Sequence, residues 1–150
     1  MSACRLFRAL FLCVALFSVG CEKATDPSPG CVSVGGVWHV NMVGETGTGI
    51  ACPDASLVWT LSQAGCDVTI ASQTWPPFDG ATGTLSGNRL TGRWEFREFC
   101  YRYLESIDIV VDGDTMTGTY YFIRAQAVYP ADCPGLGICS AALNGVRRAP

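Results

Sequence analysis

From residue 35 to residue 147 apolar and polar residues alternate, in runs that Gly, Asp and Asn interrupt at short intervals. A period of two sends successive side chains to opposite faces of a strand, and no stretch here carries the longer stripe of an amphipathic helix. The runs predict eight strands near 35–43, 56–63, 66–72, 81–86, 89–98, 102–111, 114–124 and 139–147. Such even spacing belongs to an all-β, antiparallel, up-and-down barrel or to a sandwich, and the barrel is the expected architecture. Three connections are expected to be tight, at Ala64-Gly65, Gly87-Asn88 and Gly113-Asp114, because glycine supplies the positive φ of short hairpins. The remaining connections are expected to be long.

An internal echo supports the meander. Ser86-Gly-Asn-Arg-Leu-Thr-Gly-Arg-Trp-Glu-Phe96 aligns with Asp112-Gly-Asp-Thr-Met-Thr-Gly-Thr-Tyr-Tyr-Phe122 at an offset of 26, each copy a turn entering a strand. Leu90, Gly92, Trp94 and Phe96 share one face, matched by Met116, Gly118, Tyr120 and Phe122, with mostly polar residues between them. Gly92 and Gly118 read as bends or close backbone approaches, which a sheet closing on itself needs. The same parity turns Leu57, Trp59, Leu61, Val68, Ile70, Gly83, Leu85, Ile107, Ile109 and Val111 inward. Eight strands enclose a volume that side chains either fill or leave open for one small ligand.

Gly36-Val37-Trp38 opens the first strand and Arg147-Arg148 closes the last. Together they resemble the calycin group, the lipocalins and their relatives, in which a G-x-W indole packs across the closed end of the barrel under a late cation. The resemblance implies barrel-closing roles for Gly36, Trp38 and Arg147, the cation lying over the indole face for a gain of roughly 0.5–2 kcal/mol. It could extend over most of residues 31–148. A middle-strand TDY-like signature and a helix after the last strand, both features of lipocalins, are absent from the sequence.

Ahead of this domain, Arg5 and Arg8 precede the apolar run Ala9–Gly20, the order of a secretory signal peptide. That run spans only about 18 Å as a helix, too short for a hydrocarbon core of roughly 30 Å. Ser18-Val19-Gly20-Cys21 resembles the bacterial lipobox, with Ser18 where that pattern prefers Leu. The expected organisation is a signal peptide over 1–20, a lipidated polar tether over 21–30 and a β-barrel domain over 31–150. Pro27 and Pro29 suit the tether. A lipid on Cys21 implies membrane attachment in a bacterial envelope, and Glu22, not Asp, after it points to the outer membrane.

Cysteine parity agrees with lipidation. Cys4 and Cys13 leave with the leader, and lipidating Cys21 leaves six cysteines, an even set such as an exported disulfide framework requires. In an up-and-down meander alternate connections fall at opposite ends, so Cys31 and Cys66 share the closed end, while Cys52, Cys100, Cys133 and Cys139 share the open one. A strand of eight residues is about 27 Å long and a disulfide needs Cα atoms within about 7 Å, so cross-end bridges are excluded. Of fifteen pairings three survive. Strand adjacency favours Cys31 with Cys66, Cys52 with Cys139, and Cys100 with Cys133. A zinc site is disfavoured, since export favours oxidation and there is no C-x-x-C pair.

Subtracting Arg5 and Arg8 leaves eight Lys and Arg against thirteen Asp and Glu, a formal charge of minus five. That disfavours nucleic acid, which needs a basic patch. His39 is the single histidine, on a strand, so histidine-based triads and multi-imidazole metal centres are excluded, and a structural or surface role is expected. Gly44-Glu-Thr-Gly-Thr-Gly49 has no G-K-[ST] after it and is expected to be a flexible loop. Asp112-Gly-Asp114 reads as a hairpin tip. No cofactor, metal or enzymatic activity is expected.

Binding has more support. The open mouth would gather Trp75, Phe78, Tyr101, Tyr103 and Tyr129, amphipathic rings suited to a small molecule or a protein. Glu105 shares inward parity with Tyr101 and Tyr103, and a carboxyl is costly to bury unless it meets a ligand donor or a tyrosine hydroxyl. The expectation is a lipid-anchored, non-enzymatic, lipocalin-like barrel that binds a small apolar ligand. Its alternatives are a protein-interaction module, as in avidin-like inhibitors of secreted metalloproteases, and an envelope structural lipoprotein.

Overall fold

An alternating chain buries its apolar face by laying strands side by side, and here the sheet closes on itself. The computed structural model describes residues 30–52, 54–73, 80–98, 100–126 and 135–149. Its strands are β1 Gly36–Thr48, β2 Ala55–Ala64, β3 Asp67–Ser72, β4 Ala81–Ser86, β5 Arg89–Glu98, β6 Tyr101–Asp112, β7 Thr115–Gln126 and β8 Gly137–Arg147. Each pairs antiparallel with the next, and β8 returns to β1, giving a closed barrel in sequence order. The fold is the all-β, eight-stranded, disulfide-stapled barrel read from the alternation.

The three tight turns hold one end of the cylinder. Gly65, Gly87 and Gly113 have φ of 66°, 62° and 58°, the left-handed conformation that lets two residues reverse a twisted strand. Residues of inward parity fill the barrel from this end upward: Val40, Leu61, Leu85, Leu90, Ile109, Val111, Met116 and Leu143 are each at most 3% exposed. Trp38 and Trp59 lie among them, both fully buried. Gly118 marks a close approach, because a Cβ there would collide with the Asp108 carbonyl on β6.

Two expectations about the connections are corrected. Gly44–Gly49 is not a flexible loop, since β1 continues through Thr48, paired with β8 down to Thr48↔Ile138. The glycines are there for proximity: a Cβ at Gly44 would strike the Cys52 backbone and one at Gly47 the Ile50 carbonyl, so the segment after β1 folds back against the strand. A register shift between Gly44 and Thr46 reverses the parity, placing Gly47 opposite buried Cys139 and leaving Thr46 outside, where its hydroxyl meets that of Ser140 at 2.7 Å. Nor is the β5–β6 connection long. Glu98 already pairs with Tyr101, so only residues 99 and 100 join the two strands.

Two disulfides staple opposite ends, Cys31–Cys66 at the closed end and Cys52–Cys139 at the open one, with Cα separations of 5.7 and 5.4 Å. Both are the pairs expected from strand adjacency. Cys100 is also disulfide-bonded, and Cys133, its expected partner, lies outside the described residues. So do Cys21, the proposed leader, and Trp75, Phe78 and Tyr129.

Candidate functional site

The closed end is a plug built around one indole. Trp38, the third residue of β1, has no exposed surface, and its Nε1 donates to the Val34 carbonyl at 2.8 Å. Arg147 stands directly opposite it on β8 and lays its guanidinium over the ring, 4.8 Å from the centroid. Arg147 Nη2 then donates to the Ser33 carbonyl at 2.6 Å, tying the chain before β1 to the end of β8. Gly36 leads the chain into β1 beside the Arg147 side chain with a φ of 126°, a conformation that favours glycine.

Gln63 completes the plug, and sequence reasoning missed it. Its Oε1 accepts from Val34 N at 2.8 Å, while its Nε2 donates to the carbonyls of Val32 at 3.0 Å and Gly65 at 2.8 Å. An amide at the inward parity of β2, beside a turn and a cysteine, was the available signal. It has both donors and an acceptor with which to satisfy a backbone that has left the sheet.

Towards the other end the inward row changes character. Along β6, Val111, Ile109 and Ile107 are at most 3% exposed, Glu105 is 1% exposed, and then Tyr103 and Tyr101 are half-buried. Trp94 and Phe96 on β5 and Phe122 on β7 have inward parity and are likewise half-buried. Their rings form a run across three strands: Phe96 stacks on Tyr103 at 4.6 Å, Tyr103 on Phe122 at 5.5 Å, and Phe122 on Tyr120 at 6.3 Å between centroids. Tyr101 joins this run at 5.9 Å from Tyr103 and carries the Arg124 guanidinium over its face at 4.8 Å. Arg124 Nη2 donates to the Gly49 carbonyl at 3.2 Å, which ties β7 to the segment after β1.

Glu105 sits where rings give way to aliphatic floor. Cross-strand pairing sets Trp94 on one side and Phe122 on the other. Trp94 Nε1 donates to Oε2 at 2.9 Å, and the Tyr120 hydroxyl faces the same carboxyl and favours its charged form. Oε1, though buried, makes no hydrogen bond of good geometry. Burial outweighs both neighbours and pushes the carboxyl up to about 7, so near neutral pH the proton is shared between bound and free states. Burial and the adjacent carboxylate hold the Tyr120 hydroxyl well above its ordinary range. The parity of β6 found Glu105, whereas its partner Trp94 needed the β5–β6 register.

The structure thus brings together Tyr101, Tyr103 and Glu105 of the expected mouth residues and adds Trp94, Phe96, Tyr120 and Phe122. His39 faces outward and is exposed, as a surface residue. Asp112 and Asp114 flank a hairpin tip, where the Thr115 hydroxyl donates to the Asp112 carbonyl at 2.9 Å. Among the described residues no three His, Cys, Asp or Glu side chains converge as a metal site would require. Comparison of the chain with protein-family models, with curated proteins and with solved structures returned no match.

Proposed function

We propose that this is a lipid-anchored, non-enzymatic envelope protein, a barrel of lipocalin-like build that holds a small, mostly apolar ligand at its open end. The observation that carries the reading is the break in the inward row of β6: below Glu105 the barrel is filled, and above it the inward positions are half-buried rings. Inward-facing rings that keep part of their surface accessible suit the wall of a ligand site, with a buried polar group at its base to orient a guest. Five described cysteines in disulfides support an oxidising compartment, in keeping with the signal peptide and Cys21 lipidation read from the sequence. The Trp38–Arg147 pair supports the calycin likeness.

The test is a titration of the full-length chain carrying Cys21→Ala, which removes the lipid site, with the neutral fluorophore N-phenyl-1-naphthylamine. A saturable rise in emission with a dissociation constant of ~1–10 µM is expected, and Tyr103→Ala should weaken it severalfold. No saturable signal would remove the reading.

A protein partner is the second reading, favoured by the outer face. Leu104, Ile123 and Ile138 stand side by side across β6, β7 and β8, outside the barrel, with Tyr121 next to them 40% exposed and Leu136 at the strand start 59% exposed. Such a row is unusual for a face turned to water.

A further inference from the structure

A buried carboxyl at the base of an aromatic wall selects among apolar guests. Glu105 is enclosed to 1% exposure, and its Oε1 makes no hydrogen bond of good geometry even with the Tyr120 hydroxyl facing the carboxyl. The surfaces nearest to it along the barrel wall are the rings of Trp94, Tyr120 and Phe122, continued upward by Tyr103 and Phe96. A carboxylate deprived of water is stabilised most by a positive charge, and ring faces attract a cation where they repel an anion. A hydroxyl guest would gain one hydrogen bond and leave the charge uncompensated. Arg124, which shares inward parity with Tyr120 and Phe122 on β7, is already engaged with the Tyr101 ring and the Gly49 carbonyl.

Resting on the reading of the open end as a ligand site, we infer that its ligand is an amphiphilic amine, an ammonium group on an alkyl or aryl chain, with the nitrogen donating to Glu105 Oε1 and the chain lying against Phe96, Tyr103 and Phe122. Such a guest satisfies the orphan oxygen, offsets the cost of burying its charge and covers the exposed parts of the rings. It also gives binding a pH dependence. The groups facing Glu105 from the packed strands are Trp94 on β5, Tyr103 on its own strand and Tyr120 on β7, with Glu98, Tyr101 and Arg124 further toward the rim. Both Tyr103 and Tyr120 are shifted above their ordinary value by burial, so neither loses its proton near neutrality. Glu105 alone among Trp94, Tyr103, Tyr120 and itself changes charge near pH 7, and an ammonium guest binds its ionised form.

The experiment uses the full-length Cys21→Ala protein loaded with N-phenyl-1-naphthylamine and displaced by octylamine, octan-1-ol or octanoate. At pH 8 octylamine should displace the fluorophore at about one-tenth the concentration octan-1-ol needs, with octanoate the weakest. Affinity for octylamine should fall about tenfold between pH 8 and pH 6, following the ionised fraction of the carboxyl, while octan-1-ol stays level. Glu105→Gln should bring octylamine and octan-1-ol to the same displacing concentration at pH 8 and level the pH series. If that variant does not fold, the pH series on the unaltered site carries the test alone. Equal displacement by octylamine and octan-1-ol at pH 8, or affinity that rises as pH falls, overturns the amine and leaves the apolar-ligand reading standing. Failure to bind the fluorophore, with no heat from direct titration of octylamine, removes both.

Discussion

The two ends of the barrel are built from the same alternation and differ in what their inward positions carry. At the closed end the inward polar groups are tied to the protein's own backbone: Trp38 has the Val34 carbonyl and the Arg147 cation, Arg147 Nη2 has the Ser33 carbonyl while its Nε lies 3.4 Å from Asp114, and Gln63 uses its acceptor and donors on the neighbouring chain. At the open end the inward groups are half-buried rings over a carboxyl with one oxygen unused. The contrast separates stability from selection. A plug bonded to its own backbone contributes free energy to folding, whereas a buried carboxyl with an unused oxygen costs free energy that a guest can return.

The comparison breaks most visibly if the two ends are truncated in turn. Trp38→Ala should cost about 3–5 kcal/mol, the loss expected for a buried indole, while Tyr103→Ala should cost under about 1.5 kcal/mol because its ring is only half-buried. Urea melts of the two variants decide it, and equal costs would dissolve the distinction. Replacing Cys31 and Cys66 by alanine should remove about 2–4 kcal/mol, measured by denaturation against the unaltered protein.

Glu105 gives the next effect, opposite in sign. Its native carboxyl is raised to about 7 from an ordinary value near 4.5, so between these values the folded state holds more protons than the unfolded one. Stability is therefore fullest below the unfolded value and declines as pH rises through the native one, by about 1–3 kcal/mol between pH 4.5 and 8. Glu105→Gln should flatten that slope and leave the protein more stable at pH 8, as read from thermal melts across pH. Arg147→Leu is the smallest change, about 0.5–2 kcal/mol for the lost cation over Trp38, and chemical melts should show it unaltered by pH.

Much of this was legible before the fold was seen, for reasons that differ by region. The strands followed from parity and from glycine at Gly65, Gly87 and Gly113, signals that are local and strong. Disulfide pairs followed from topology, since a barrel in sequence order leaves few neighbours for Cys31 or Cys52. The upper half of β1 was illegible because Gly44 and Gly47 have low strand propensity, and what holds them in the sheet is the non-local return of residues 50–52 and the ladder with β8. Glu105 was legible by parity on β6. Its bond to Trp94 was not, because the register of β5 against β6 depends on a two-residue connection that composition alone suggested was longer.

The chain enters the barrel at Cys31, which is bridged to Cys66, while Val32 N donates to the Gly87 carbonyl at 3.1 Å beside the β4–β5 turn. A leash joined there leaves from the plugged base. Whatever the preceding residues are attached to therefore holds the barrel by the end opposite Tyr101 and Tyr103, and a pull on them loads the Cys31–Cys66 bridge before it reaches the aromatic rim.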